Sequence, residues 1–327
     1  MVNFWRNKRV LITGNEGFLG SNLTLKLLAA GAQITGLDIR VRRPDTIFTS
    51  KDYQGFKTIK GSVADFALVR RLIKQNKIEF VFHLAAEAIV GRSLKDPLNT
   101  FASNVEGTWN ILEACRQLGT VEAIIVASSD KAYGSHKILP YKEDAPLIGD
   151  HPYDVSKSCA DLIAYSYFHT YNLPVAVTRC GNIYGPGDFN YSRIIPDALR
   201  CLYYGRTLLI RSDGRFTRDY VYVDDIVNGY MLLAEKLKKL KLAGEAFNIS
   251  DENPISVLAL LAQINMLSGR KLNYKILDRA KYEIKDQYLA ANKARRILGW
   301  KPQFNLDEAL KITMAWYENY FGTVLCQ

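Results

Sequence analysis

Tyr153 and Lys157 stand four residues apart in Tyr153-Asp-Val-Ser-Lys157. On a helix, that spacing puts a phenol and an ammonium on one face, a turn apart. A nearby ammonium favours phenolate and lowers the tyrosine pKa toward the working range. Such a phenol can take or return the proton of a carbinol while a hydride leaves the same carbon. The spacing alone is weak, because the chain holds 19 tyrosines. A second cluster, Ser128-Ser129-Asp130-Lys131, closes a buried apolar run. Paired hydroxyls and opposite charges have no packing role there, and in doubly wound folds the carboxyl ends of strands hold the ligand. A third segment, Thr13-Gly14-Asn-Glu-Gly17-Phe-Leu-Gly20, joins the first strand to the first helix. Glycines let the backbone turn sharply and approach a diphosphate, which the N–H groups of the helix N-terminus then hold. Asp38 ends the second strand, where a carboxylate accepts ribose hydroxyls and repels a 2′-phosphate. It favours NAD over NADP, whereas Arg40, Arg42 and Arg43 could welcome that phosphate.

These groups need rigid elements to position them. Residues 9–14, 33–38, 79–86, 121–129 and 174–184 read as strands. Residues 18–30, 104–118 and 153–171 read as helices between them. Apolar strands without alternation, separated by helices, indicate a parallel sheet covered on both faces. The expected fold is α/β, a Rossmann-like doubly wound parallel sheet with a smaller C-terminal substrate-binding lobe. Residues 1–185 form the dinucleotide-binding domain in this reading. Residues 218–250 return to it as a helix (220–237) and a strand (246–250), and residues 186–217 and 251–327 form the smaller lobe. The lysine-rich stretch from Glu235 to Leu242 reads as a solvated helix end, with Leu237, Leu240 and Leu242 on one buried stripe.

Composition narrows the classes. The chain has 327 residues, 48% of them hydrophobic and 23% charged, which excludes wholesale disorder. No apolar run is long enough for a transmembrane helix, and residues 1–9 are too short and polar for a signal peptide. The cysteines at 115, 159, 180, 201 and 326 form no CxxC pair, and with four histidines they make a zinc site unexpected. They read as reduced thiols of a cytoplasmic protein. A net charge of +10 suits nucleic acid, an acidic membrane surface or an anionic small substrate.

The glycine segment, His83-Leu84-Ala85-Ala86, a strand-end serine and Tyr153-x-x-x-Lys157 together resemble the extended short-chain dehydrogenase/reductase family. The likeness runs on through Asn104-Val-Glu-Gly-Thr, Arg179-Cys-Gly-Asn182, Arg218-Asp-Tyr-Val-Tyr-Val-Asp224 and Leu298-Gly-Trp300. It spans about residues 8–302 and is specific for nucleotide-sugar-modifying members. Ser62 departs from it, standing where the family usually has Asp. Asp130 followed by Lys131 resembles the CDP-glucose 4,6-dehydratase branch, and Glu87 the dTDP-glucose branch.

The resemblance implies bound NAD, held by Gly14, Gly17, Phe18, Gly20, Asp38, Leu84, Ala85, Ala86, Asn104, Tyr153 and Lys157. It implies a nucleotide-diphosphate sugar substrate, touched by Glu87, Ser129, Asn182, Arg193, Arg218 and Asp286. A homodimer with no nucleic-acid or membrane partner is expected. The implied catalytic set is Ser129, Asp130, Lys131, Tyr153 and Lys157. Tyr153 takes the C4 hydroxyl proton as C4 is oxidised, a base removes the C5 proton, and Asp130 protonates the departing C6 hydroxyl. Lys131 is one candidate for that base. A 4-epimerase and a dehydratase releasing a 5,6-ene sugar are the alternatives.

Overall fold

The computed structural model describes residues 4–280 and 283–325, so Cys326 and the first three residues of the leading segment lie outside the described residues. β1 (Arg9–Thr13), α1 (Phe18–Ala29), β2 (Gln33–Asp38) and β3 (Lys57–Lys60) open the chain. α2 (Phe66–Gln75) leads to β4 (Phe80–His83), the short helices α3 (Val90–Lys95) and α4 (Pro97–Phe101), and α5 (Gly107–Leu118). Then come β5 (Ala123–Ala127), α6 (Pro152–Tyr171), β6 (Val175–Cys180) and β7 (Asn182–Tyr184). The second half holds α7 (Ile194–Tyr204), β8 (Leu208–Ile210), β9 (Thr217–Tyr222), α8 (Val223–Lys236) and β10 (Ala246–Ile249). β11 (Pro254–Ser256), α9 (Val257–Ser268), β12 (Tyr274–Ile276), β13 (Asp286–Gln287) and α10 (Leu306–Leu325) complete it.

Seven strands pair in the order β10-β6-β5-β4-β1-β2-β3, every neighbour parallel. The order reverses between β1 and β4, so the loops leaving their carboxyl ends diverge and open a crevice. The strands lack alternation because both faces are covered. Leu11, Val81, Ile124 and Val126 enter one core with α2, α5 and α6. Their neighbours Val10, Ile12, Phe82 and Ile125 enter the other, with Leu23 of α1 and Leu233 of α8. That second core continues into Leu260 of α9, Trp300 and Leu310 of α10, so the large sheet and the C-terminal helices share it.

The expected boundaries shift in four places. The strand read over 174–184 is two: β6 stays in the large sheet, and after Gly181 the chain leaves it, so β7 pairs with β9. A Cβ on Gly181 would meet the Asp219 carbonyl oxygen at 3.0 Å, which explains a glycine at that crossing. Residues 220–222 are strand, not helix, and β9 lies in a four-stranded sheet with β7, β11 and β13. Of the 218–250 stretch, β10 joins the large sheet and α8 packs against α1 and β5. Asn104 falls in a π turn (Ala102–Glu106) ahead of α5. The lysine-rich helix ends at Lys236, and Leu240 is exposed while Leu237 and Leu242 are buried, so the three leucines share no stripe. No described helix is long and apolar enough to cross a membrane.

Candidate active site

The crevice is a cleft of about 1280 Å³, walled by the ends of β1, β2, β4 and β5 and by the smaller sheet. Gly14, Gly17, Phe18 and Gly20 line its floor. Gly14 sits at φ +72°, and a Cβ there would lie 2.9 Å from the backbone of Ala85. A Cβ on Gly20 would lie 2.1 Å from the Gly14 carbonyl oxygen. The loop therefore folds back on α1 only because these positions lack side chains. No side chain caps α1 at Gly17, which leaves its first-turn N–H groups for an anionic ligand. This cradle fits a dinucleotide diphosphate. Gly20→Ala is expected to lower stability by about 1–3 kcal/mol through overpacking and to weaken dinucleotide binding. Thermal melts with and without NAD check it, and an unchanged Tm and affinity would contradict the packing argument.

Asp38 accepts the backbone N–H of Glu16 on Oδ2 at 3.0 Å and that of Arg40 on Oδ1 at 3.1 Å. Burial raises its pKa, against those two donors. Each oxygen keeps a lone pair for a ribose hydroxyl. Glu16, which sequence reading passed over as a spacer, is 3% exposed. Its Oε2 accepts the Tyr53 hydroxyl at 2.7 Å, and its Oε1 has no partner. Two of the three competing arginines are engaged: Arg43 grips Asp45 at 2.6 Å and Arg42 lies over the Tyr53 ring, while Arg40 lines the cleft. Two carboxylates thus face the ribose end.

Leu84, Ala85, Ala86 and Glu87 line the cleft beyond β4. The Leu84 and Ala85 N–H groups both donate to Thr13 Oγ1, which also meets His83 Nδ1 at 2.8 Å. Burial holds His83 neutral, its pKa pushed down to about 3. Asn104 does not line the cleft. It is 2% exposed and clamps the wall from behind, accepting Glu87 N–H at 2.7 Å and donating to Ser156 Oγ at 2.8 Å. Its position is that of a brace rather than a ligand contact. Ser62 and Val63 line the cleft, and Ser62 Oγ is taken by the Ala64 N–H.

Ser129, Asp130, Lys131, Tyr153, Asp154 and Lys157 converge where β5 ends and α6 begins. Ser129 leaves β5 and caps the 3-10 turn Asp130–Tyr133, accepting the Lys131 N–H at 3.2 Å. Its hydroxyl donates to Asp130 Oδ1 at 2.9 Å, and Asp130 is 3% exposed. The turn is anchored from below. Buried Arg179 pairs bidentately with Asp161 of α6 at 2.8 Å and donates to the Tyr133 hydroxyl at 2.8 Å, and Tyr133 donates to Asn248 Oδ1 at 2.7 Å. A planar guanidinium supplies both geometries at once.

The expected lowering of the Tyr153 pKa by Lys157 is not what the structure shows. Burial pushes Tyr153 up to about 12, and the neighbour that favours its phenolate most is the Ser129 hydroxyl. Lys157 Nζ donates instead to the Ala127 carbonyl at 2.7 Å. Burial brings Lys157 down to about 8, against the pull of Asp161. Lys131 Nζ donates to Gln287 Oε1 of β13 at 2.8 Å, so this side chain spans from the large sheet to the small one.

On the far wall, Asn182 and Arg193 line the cleft. Arg193 pairs with buried Asp188 at 3.1 Å and its guanidinium lies over the Phe18 ring. Arg218 also lines it, but its guanidinium donates to the carbonyls of Thr217, Ile284 and Lys285 and pairs with neither Asp219 nor Asp224. Asp286 is exposed on β13 and does not line the cleft. Arg211 and Arg279 do, although nothing in their sequence surroundings singled them out; the fold brings them in from separate loops. Four arginines on this wall make it suited to a diphosphate.

The family model described as GDP-mannose 4,6 dehydratase matches residues 11–313. CDP-glucose 4,6-dehydratase of Salmonella typhimurium is 31% identical over 332 residues, 97% of this chain and 92% of that one. UDP-glucuronate 4-epimerase of Thermodesulfobacterium geofontis is 30% identical, over 94% of this chain and 95% of that one. The solved dTDP-glucose 4,6-dehydratase DesIV of Streptomyces venezuelae, with NAD and TYD bound, is 28% identical with a TM-score of 0.87, covering 96% and 98% of the two chains. Dehydratases and epimerases thus share this scaffold at nearly equal distance. With the match running across almost all of a chain that carries the glycine cradle and the Ser-Tyr-Lys set, the protein belongs to the GDP-mannose 4,6 dehydratase family, within the extended short-chain dehydrogenase/reductases.

Proposed function

We propose that the chain is an NAD-dependent nucleotide-sugar 4,6-dehydratase, converting an NDP-hexose to an NDP-4-keto-6-deoxyhexose. The observation that carries this reading is Asp130, a carboxyl 3% exposed beside Ser129 in the same cleft as Tyr153. A 4-epimerase inverts one carbon through a ketone and needs no acid at C6. A dehydratase must protonate a departing C6 hydroxyl, and a buried carboxyl is the group for that work.

NAD, when bound, supplies a hydride acceptor that later becomes the donor. Gly14, Gly17, Phe18 and Gly20 would hold its diphosphate, Asp38 its ribose, and Leu84 to Ala86 its inner wall. Tyr153 takes the C4 hydroxyl proton, and Ser129 orients that hydroxyl. The new ketone acidifies C5–H, so C5 can lose a proton as the C6–O bond breaks. Asp130 gives its proton to the leaving hydroxyl. Arg193, Arg218 and Asn182 would face the substrate diphosphate, with Arg211 and Arg279 adding charge.

The Asp130-Lys131 pair and the Salmonella relative make CDP-glucose the first substrate to try. Incubation with a panel of nucleotide hexoses, followed by mass spectrometry and NMR, tests the reading. A product lighter by one water with a solvent hydrogen at C5 is expected. Unchanged mass with inverted C4 would establish the epimerase, and loss of water with reduced cofactor left on the protein would establish the 5,6-ene product. NAD is expected to bind at least about tenfold tighter than NADP, a difference of ~1.4 kcal/mol, because Asp38 and Glu16 both oppose a 2′-phosphate. Titration of each into cofactor-free protein measures this, and a preference for NADP would hand the site to Arg40. A homodimer through the exposed apolar side chains of α5 and α6, among them Trp109, Leu162 and Tyr165, completes the proposal.

A further inference from the structure

Lys131 lines the cleft beside Asp130, yet its side chain ends on the other sheet. Its Nζ donates to Gln287 Oε1 at 2.8 Å. Gln287 is 0% exposed and does not itself line the cleft. β13 fixes its place. Gln287 stands in register with Arg218 of β9, whose guanidinium donates to the carbonyls of Ile284 and Lys285. Just beyond, the Tyr288 carbonyl accepts the Tyr141 N–H at 3.0 Å, and the Ala290 N–H donates to the Tyr141 carbonyl at 2.8 Å. The other half of the Gln287 amide is unmatched: Nε2 has no partner among the described residues. A buried N–H left in that state costs free energy that a methionine of similar size avoids. Packing alone therefore does not account for an amide at this position. Its carbonyl oxygen does, as the acceptor for Lys131.

The ammonium has carboxyl neighbours. Burial raises Asp154 to about 6, Lys131 and His151 draw it back, and Asp130 and Asp150 push it up. Lys131, Asp130 and Asp154 thus act on one another in one corner of the cleft. Asp130 has to carry a proton if it is to protonate the C6 oxygen. An ammonium paired with Asp130 would stabilise the carboxylate and take that proton away. A neutral amide accepts the lysine's hydrogen bond without that effect.

We propose that Gln287 is a positioning residue: it holds the Lys131 ammonium across to β13, away from Asp130, so that Asp130 keeps the proton that the departing C6 oxygen takes. The inference rests on the dehydratase reading above and adds to it a residue of the smaller sheet. Because Arg218 grips the same short segment, one stretch of chain, 284–287, fixes both the diphosphate wall and the lysine of the catalytic turn. Without the amide, the ammonium has to find another acceptor, and Asp130 is on the adjoining residue.

The test uses full-length protein with NAD in D₂O, offered CDP-glucose, dTDP-glucose, UDP-glucose and GDP-mannose. Gln287→Met removes the acceptor and keeps the volume. Reduced cofactor should still form on adding sugar, and KM should stay within a few-fold, because neither depends on Asp130 as an acid. Loss of water should fall by about 10²-fold, the lower end of the range for losing a general acid. Lys131→Met takes away the group that Gln287 restrains, so the double variant of Lys131→Met and Gln287→Met should lose water at the rate of Lys131→Met alone. Losses that multiply in the double variant would overturn the proposal, because Gln287 would then act independently of Lys131. Loss of water at the unsubstituted rate in Gln287→Met would overturn it too. Gln287→Glu keeps an acceptor at the same reach and should recover part of the rate, and a loss as deep as that of Gln287→Met would count against the proposal in the same way. A crystal structure of Gln287→Met needs no substrate. Lys131 Nζ should lie within hydrogen-bond distance of Asp130 there, and an ammonium still extended to β13 would overturn the assignment. Unchanged product mass with inverted C4 in the unsubstituted protein would overturn the dehydratase reading itself, which is a separate result.

Discussion

Tyr153→Phe is expected to lower turnover by about 10²–10⁴-fold, the range for losing a general acid–base group, while NAD affinity stays within a few-fold. The ring keeps its volume, so the wall of the cleft is preserved. Only the phenolic oxygen goes, and with it the path for the C4 proton. The dinucleotide cradle is built from Gly14, Gly17, Gly20 and Asp38 on other elements, so it survives the change. Ser129 keeps its bond to Asp130 Oδ1, so the 3-10 turn stays anchored. A pH signature should accompany the loss. Burial holds Tyr153 protonated up to about 12, so the proton-accepting form is scarce at neutral pH and grows as pH rises. The single-turnover rate of C4 oxidation should therefore climb with pH in the unsubstituted protein and lose that climb in the variant. A near-wild-type kcat in Tyr153→Phe would remove Tyr153 from the reaction.

The parts of this site that sequence made legible are those set by local chain geometry. Gly14 and Gly20 were readable because a tight strand-to-helix turn demands residues without side chains, and the turn is wholly local. Asp38 was readable because a strand of known length ends there. Tyr153 and Lys157 were readable because α6 fixes their spacing. What sequence could not carry is the set of contacts made across long separations. Lys131 reaches Gln287, 156 residues away, and Asn104 braces Glu87 and Ser156 rather than facing the ligand. Arg218 was expected to touch the substrate, yet β9 runs beside β13 and the carbonyls of 284 and 285 take donors from its guanidinium. The Tyr153 pKa failed for the same reason: i, i+4 spacing gives adjacency, whereas the pKa is set by burial and by Ser129, which arrives from β5. The strand over 174–184 was misread because a continuous apolar run can change sheets at one glycine, and only pairing partners reveal it.

Asp130→Asn should separate the two halves of the reaction. The amide keeps the shape of the carboxyl and can still accept the Ser129 hydroxyl on its oxygen, so the turn that Ser129 caps should hold. It cannot act as a proton donor of useful acidity. Oxidation at C4 draws on Tyr153 and Ser129, so reduced cofactor should appear after substrate is added. Removal of the C5 proton should fall along with loss of water, because that proton leaves as the C6–O bond breaks. Loss of water should fall by about 10²–10⁴-fold, since the C6 hydroxyl must then leave without protonation. The expected pattern is reduced cofactor accumulating, little deuterium at C5 of recovered starting sugar, and little 4-keto-6-deoxy product. Stopped-flow absorbance and NMR of the quenched sugar read these three quantities in one experiment. Product formed at the unsubstituted rate would take the acid role away from Asp130 and, with it, the observation on which the dehydratase reading depends. Loss of cofactor reduction as well would make Asp130 a positioning residue for Tyr153 and Ser129, because an acid acting at C6 alone has no part in the first step.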